Sequence, residues 1–595
     1  MKSRSEINSS DTWDTSDLYN NDSQWEKDFK IFKKNISNYS NFKNTLNSVI
    51  SIKKCIDFHM DHSRGLEKLF TYSHLKSDEN KTNSHYQAML QTITTMLVNS
   101  SKESSFIVPE LMSLKNNFIK SLMSDSRLSH YNFYLKQIFR LKKYILSDKE
   151  ESILAASSEI ARSSNEVFSM LDNADVIFEK IKDPNGNIIE ITHGNFNNLL
   201  QNHNRKFRQK IFKKYYTKYL NHKYTYSSLL SNNVKKDYFY SKTRGYKSTI
   251  EKVLHEDNIP IAVYDNLINT VNKNFEPLYK YFQIRKKILE IDDLHIYDCF
   301  VPLVQDLDWN MNFNDASSLI LKSLKLLGIE YCDIVKKGLT IDGWVDKYEN
   351  IGKRSGAYSS GCHDSKPYIL MNYVSSDINS VYTLIHELGH SLHSYYSREY
   401  QPYTYSDYTI FVAEVASTFN EACLTKYLMS QAKDDKMKIY LISREIDNIR
   451  GTLYRQTMFA EFEKQIHGKV IKDEPITLEL IKTIYHLLLE KYFHNSFILD
   501  SELDYECLRI PHFYSSFYVY KYATGISCAY YLFDKISKGD ELALKNYINF
   551  LKSGGSNYSV DLLKDAGVDI TVPDPIQNTL NKFSFLVDSL DELTK

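Results

Sequence analysis

Along most of the chain apolar residues recur at three- and four-residue spacings, the pattern of helices that bury one face. Over roughly the first 180 residues this predicts a series of amphipathic helices, one opening at a capping box, Ser23-Gln-Trp-Glu26, ahead of Phe29, Ile31 and Phe32. The pattern breaks at 183–187, where Asp-Pro-Asn-Gly-Asn lies between Val176-Ile-Phe and Ile188-Ile-Glu-Ile. Asn-Gly between β-branched apolar residues predicts a hairpin. The main domain boundary is placed just after it, giving an N-terminal helical domain over 1–195 and a second domain over 196–595. Helical spacing resumes to about 290. Between 338 and 373 the character changes: Gly338, Gly343, Gly352, Gly356 and Gly361 separate short apolar runs such as Tyr368-Ile-Leu-Met, which predicts a small sheet. From 375 the helical pattern continues almost to the end.

Composition narrows the fold class. Gly and Pro together number 29 of 595 residues (18 plus 11), about 5% against a usual ~12%. Residues 66–185 contain no Gly and only Pro109 and Pro184. Turn-dense all-β folds and Gly-rich doubly wound nucleotide folds are excluded on that ground, leaving a mainly α protein with one small β-sheet. Lys+Arg and Asp+Glu are 74 each, so no basic footprint for nucleic acid is present. Mean hydropathy is −0.43 with no apolar run near the ~18 residues a membrane helix needs. The seven Cys are scattered without a CxxC pair, and the N-terminus has no hydrophobic leader segment. The expectation is a cytoplasmic protein with neither nucleic acid nor membrane as a partner.

One pentapeptide carries chemistry: His386-Glu387-Leu388-Gly389-His390. On a helix the two His project from one face four residues apart and can meet one metal ion, with Glu387 about 100° round from His386. Asp377 is the candidate N-cap, and Val381, Leu384, Ile385, Leu388 and Leu392 form an apolar stripe opposite the two imidazoles. Such an HExxH is expected by chance only about 0.03 times in a chain of this length. A catalytic zinc usually has three protein ligands and one open position. The metzincin pattern would need Gly at position 393 and His at position 396, where this chain has His393 and Tyr396. Glu414, in Phe411-Val-Ala-Glu-Val-Ala-Ser-Thr-Phe-Asn-Glu421, offers a third ligand from a following helix; an ordinary buried ion pair is the alternative. Glu421, two turns on, is a candidate partner for a ligand imidazole.

The stretches HELGHSLHSYYS and FVAEVASTFNEA resemble the thimet-type oligopeptidase family of zinc metallopeptidases, most of all its oligoendopeptidase F branch. So do Gly352-Lys-Arg-Ser-Gly-Ala-Tyr358, Tyr368-Ile-Leu-Met-Asn-Tyr373, Arg509-Ile-Pro-His-Phe-Tyr514 and Phe517–Gly525. Trp13–Tyr19 and Thr192-His-Gly194 extend the likeness towards the N-terminus. The resemblance implies one Zn²⁺ per chain held by His386, His390 and Glu414, with Glu387 as general base. It implies a His and Tyr residues over the scissile carbonyl, for which His512, Tyr518 and Tyr522 are the nearest matches; Tyr514 and Tyr520 compete. The 512–522 stretch departs from relatives with a glycine-rich loop, having no Gly before Gly525. Backbone groups of Gly356, Ala357 and Tyr358 are expected to pair with an extended substrate. A multi-helix fold with a deep substrate channel between helical subdomains is implied, with 196–595 as the catalytic domain.

The activity expected is zinc-dependent hydrolysis of internal bonds in short peptides. An exopeptidase or dipeptidase with the same chemistry, or a non-catalytic peptide-binding protein, is the alternative. His393, Cys362 and a Tyr-rich connection over 395–408 are read as structural. Glycine itself is informative: only four of 18 fall in the first 327 residues, and seven lie from Gly328 to Gly389.

Overall fold

The computed structural model describes residues 1–304 and 307–595. Among these the fold is mainly α, and extended structure is limited to five short strands. β1 (Lys180–Lys182) and β2 (Ile188–Glu190) pair antiparallel, with Lys182 opposite Ile188, across the expected turn. The Asp183 carboxylate accepts the Asn185 and Asn187 N–H groups at 2.9 and 2.8 Å, and Gly186 takes a φ of +90° that a side chain would resist. The first strand begins at Lys180 rather than in Val176-Ile-Phe. Val176 still donates its N–H to the Leu171 carbonyl, closing a single π-turn over Leu171–Asp175.

The sheet expected between 338 and 373 is formed by β3 (Val345–Asp346), β4 (Tyr358–Ser360) and β5 (Tyr368–Leu370), in the order β3-β5-β4. β5 runs parallel to β3 and antiparallel to β4, with Ser359 opposite Ile369. β5 is the central strand with all three side chains buried, and β4 lies at an edge.

Two compact units emerge, each assembled from three stretches of chain. The first comprises Met1–Lys143, Asp308–Tyr427 and Leu532–Val568. Its longest element is the 31-residue helix Val49–Glu79, about 46 Å of rise, packed along helix Ser84–Ser104. Trp13, Trp25, Leu69, Tyr72 and Ile93 share a core with Tyr368 and Leu370 of β5, which fastens the sheet to the N-terminal helices. The helix expected to open at Ser23 spans Asp22–Asn35 and is capped by Asn21, whose side chain accepts the Gln24 N–H. Asn is as good an N-cap as Ser, and here it lies one turn before the first buried residue, Trp25.

The second unit comprises Tyr144–Leu307, Leu428–Tyr531 and Asp569–Lys595. Here many of the chain's Tyr are buried with their hydroxyls on buried carboxylates. Tyr219 and Tyr226 donate to Asp172, and Tyr216 and Tyr485 to Glu506. Burial opposes the charge on Glu506, yet Arg455 and Arg509 bring it down to about 2. The abundance of Tyr thus reflects apolar rings that fill a core while their tips satisfy its charges.

Candidate metal centre and active site

Asp377 caps the helix Ile378–Tyr400, accepting the Asn379 N–H at 2.9 Å. Val381, Leu384, Ile385, Leu388 and Leu392 are fully buried, which fixes the rotation of this motif helix and turns His386 and His390 the other way. The helix continues through Tyr400, so the first residues of the expected 395–408 connection are helical instead. Tyr396 falls one turn beyond Leu392 and extends the buried stripe, which is why the helix does not stop.

Helix Ile410–Gln431 crosses the motif helix at Gly389. A β-carbon at Gly389 would lie 2.5 Å from Ser417 Cα and 2.7 Å from the Ala416 carbonyl oxygen. That approach brings Glu414 to the two His. The Nε2 atoms of His386 and His390 are 3.1 Å apart, and Glu414 Oε2 is 3.5 Å from each. Metal–ligand bonds of about 2.0–2.2 Å at tetrahedral angles separate ligand atoms by about 3.3–3.6 Å. The two Glu414 spacings fall in that range and the His–His spacing just below it, so two imidazoles and a carboxylate are placed to hold a tetrahedral divalent cation with one position left over.

Further groups aim the triad. His386 Nδ1 donates to Glu421 at 2.7 Å, and the His390 ring is hydrogen-bonded to the backbone of Ala413. Ser417 Oγ donates to Glu414 Oε2 at 3.0 Å. Burial works against a charge on His386, but the hydrogen bond and charge of Glu421, then Glu414 and Glu387, carry it up to about 9. His390 is pushed down to about 4 by burial and by the His386 charge.

Glu387 is buried on the sheet side of the helix, where its carboxylate accepts the backbone N–H of Ser359 in β4. Burial raises it above the ordinary carboxylate range, with His386 opposing and Glu414 adding. Ser359 Oγ also meets Ser391 Oγ at 2.8 Å, a second tie between strand and helix.

The segment leading into β4 contains the expected Gly356, Ala357 and Tyr358. Gly356 adopts a φ of +81°. Asn372 donates to the carbonyls of both Arg354 and Gly356, at 3.0 and 2.9 Å. Asp78, buried at the end of helix Val49–Glu79, accepts Tyr358 OH at 2.9 Å and Arg354 Nη1 at 3.1 Å. Burial alone would raise Asp78, but His74, Lys81 and Tyr358 hold it well below the usual carboxylate range. Asp78, Asn372 and Ser359 escaped the sequence reading. Asp78 acts 280 residues away from Tyr358, and no spacing rule links them.

His393 is buried with its ring stacked on Tyr408 at 3.6 Å between centroids, apart from the triad. The Cys362 thiol is buried and pushed up to about 11 by burial, an unreactive packed sulfur.

His512, Tyr518 and Tyr522 belong to the second unit and gather with one another. Tyr522 OH is 3.3 Å from His512 Nε2, and the Tyr518 ring stacks on His512 with centroids 5.9 Å apart. Helix Tyr520–Ser537 starts two residues after Tyr518, so a turn rather than helical spacing brings the rings together. All three are partly exposed, whereas Tyr514 stacks on Phe168 and Tyr520 packs at a tilt against Tyr264 within the core. Burial lowers His512 below its ordinary value.

Comparison with known proteins gives a consistent picture. The profile of Peptidase family M3 matches residues 198–582, and that of Oligopeptidase F matches 110–178. The chain is 42% identical to Oligopeptidase PepF of Bacillus subtilis, over all of this chain and 88% of that protein. It is 36% identical to the oligoendopeptidase F homolog of Lactococcus lactis subsp. lactis, over all of this chain and 99% of that one. The crystal structure of oligoendopeptidase-F from Enterococcus faecium superposes with a TM-score of 0.75 at 32% identity, covering 96% of this chain and 99% of that one. With an extended profile match and full-length relatives agreeing, the chain belongs to peptidase family M3, in its oligoendopeptidase F branch.

Proposed function

We propose that this chain is a zinc metalloendopeptidase that hydrolyses internal bonds of short peptides in the cytoplasm. The observation that carries the reading is the spacing of the three donor atoms, 3.1, 3.5 and 3.5 Å, beside a buried Glu387. One Zn²⁺ on His386, His390 and Glu414 would lower the pKa of a water to about 7 and polarise the scissile carbonyl. Glu387 takes the proton of the attacking water and passes it to the leaving amine, a role suited to a carboxylate raised by burial. Ser359 N–H and the helix hold that carboxylate in place. In an antiparallel ladder alternate residues turn their backbone groups outward. Ser359 spends its N–H on Glu387 rather than β5, so Ala357, two residues earlier, also presents backbone outward, for an extended peptide. His512, Tyr518 and Tyr522 are assigned, on the family resemblance, to donate hydrogen bonds to the developing oxyanion, a contribution commonly of about 3 kcal/mol per donor. The names of the relatives support oligopeptides as the substrate class. The N-terminal stretch 1–195 is proposed as a helical domain beside the catalytic stretch 196–595.

The test is cleavage of internally quenched peptides by the metal-loaded protein, with chelation and zinc add-back, and mass spectrometry of the products. Chelator-sensitive internal cuts are expected. Release of single residues or dipeptides from one end would replace the endopeptidase by an exopeptidase, and no cleavage of any short peptide would leave a binding protein.

A further inference from the structure

Phe517 lies between His512 and Tyr518 in the chain's later site segment, and its φ is +58°. A bulky aromatic residue rarely adopts this left-handed conformation, and it persists only where its surroundings over-determine it. The surroundings are specific. The Phe517 N–H donates at 2.8 Å to Oε1 of Glu463, a carboxylate buried in helix Arg455–Ile471. The Phe517 ring is caged by Tyr264, 5.7 Å between centroids and near perpendicular, and by His467 at 4.7 Å. One residue earlier, Ser516 Oγ donates to Asp237 at 2.5 Å, and the Phe513 carbonyl accepts Asn233 Nδ2 at 3.2 Å. On another side Tyr514–Ser516 border a cavity of about 340 Å³, so packing there does not restrain the segment.

The second oxygen of Glu463, Oε2, is buried without a hydrogen-bond partner. Helices rarely carry such a group for stability, because an acid taken out of water with one bond is a net cost that a Leu or Met would avoid. Burial raises Glu463 well above the ordinary carboxylate range, with the Phe517 N–H opposing. A neutral acid and a neutral amide accept an N–H alike, whereas an apolar side chain cannot.

We propose that Glu463 and Asp237 are positioning residues: they lock the Phe513–Phe517 backbone, strain included, so that His512 and Tyr518 are presented together for the reaction. This rests on the assignment of His512 and Tyr518 given above. Release of the lock lets Phe517 relax to an ordinary φ. Tyr518 is the next residue, and a shift of about 1 Å in a group that acts only in the transition state costs up to about 100-fold in rate.

The experiment compares steady-state kinetics of the zinc-loaded full chain carrying Glu463→Met, Glu463→Gln, Ser516→Ala, His512→Ala and Tyr518→Phe. Zinc content and thermal midpoint are measured on each. Glu463→Met is expected to lower kcat about 10- to 100-fold with KM within about threefold and zinc unchanged, and Glu463→Gln to restore kcat to within about threefold. Ser516→Ala, at a partly exposed position, is expected to lower kcat about three- to tenfold. Equal loss in the Gln and Met variants would overturn the acceptor role. An unaltered kcat in Ser516→Ala would overturn the lock even if the Glu463→Met protein failed to fold. If Glu463→Met keeps full activity while His512→Ala and Tyr518→Phe lose theirs, the positioning fails and the site assignment stands. If the last two keep full activity, the site assignment itself is wrong.

Discussion

Gly389 offers the sharpest test of how the proposed metal centre is assembled. Ala is the best helix former, and by propensity alone Gly389→Ala should stabilise a helix interior by about 0.5–1 kcal/mol. The structure reverses the sign. The new β-carbon would meet Ser417 Cα at 2.5 Å and both the Ala416 oxygen and the Ser417 nitrogen at 2.7 Å. All three are backbone atoms of the crossing helix, so no rotamer change relieves the clash. Carbon contacts settle near 3.5 Å, and the helices must part by about 1 Å. Overpacking of this kind costs about 1–3 kcal/mol. Because Glu414 precedes Ser417 by one turn, the same displacement draws its Oε2 away from the two Nε2 atoms, past the roughly 3.3–3.6 Å that tetrahedral ligation requires. The expected result is a lower thermal midpoint together with at least tenfold weaker zinc retention in a chelator competition. Gly468→Ala is the control: it lies within helix Arg455–Ile471, and a β-carbon there meets nothing within 4 Å. That variant should gain about 0.5–1 kcal/mol and keep wild-type zinc affinity. If Gly389→Ala binds zinc like the parent and melts no lower, the close crossing does not set the triad and the reasoning fails.

Three further outcomes are expected. Glu387→Gln should retain stoichiometric zinc by elemental analysis while kcat falls by about 10²–10⁴, the usual worth of a general base; preserved turnover would remove Glu387 from that role. Glu421→Gln should weaken zinc binding about 10- to 100-fold by loosening His386 Nδ1, read by chelator titration, and unchanged affinity would make the 2.7 Å contact incidental. His467 is buried and lowered from 6.5 to about 4 by desolvation, with Asp237 opposing. The unfolded chain therefore binds this proton first, and stability present above about pH 6.5 is lost as pH falls towards 4, by about 3 kcal/mol in all. His467→Phe should flatten the drop in urea midpoint between pH 7 and 4.5; an unchanged slope would show that His467 does not govern it.

How much of this was legible in the sequence follows the range of each interaction. The motif helix was readable because its cap, its stripe and its two His all repeat within four residues, and Glu421 because it lies two turns beyond Glu414. The hairpin was readable from Asn185-Gly186. The cap at Asn21 rather than Ser23 was not, since Asn and Ser serve equally and only the placement of Trp25 decides. Nothing within the motif explains Gly389; its reason is a helix that arrives nearly thirty residues later. The continuation of the helix to Tyr400 was hidden by Tyr, which reads as a surface residue by composition and as a core residue once Tyr396 completes a stripe.

The long-range part of the site follows a single physical rule, that buried charge must be paired, and Lys353 shows what it accomplishes. Its ammonium is fully buried and reaches Asp346 Oδ1 at 2.6 Å, with the carbonyls of Tyr348 and Met371 also at 2.6 Å. Burial lowers its pKa while Asp346 raises it. One side chain thus gathers β3, the turn after it and the residue following β5, while Asp78 pins Arg354 and Tyr358 from the end of helix Val49–Glu79. Each tie is worth little net, because desolvation offsets most of its attraction. Breaking one is costly all the same, about 3–5 kcal/mol, since the partner is left buried and unpaired. A network of this kind therefore adds little to stability and much to uniqueness: the loop has one satisfied arrangement. That arrangement puts the edge strand against Glu387, so the placement of this carboxylate, proposed above as the general base, is set in part by an aspartate at position 78 that no motif includes.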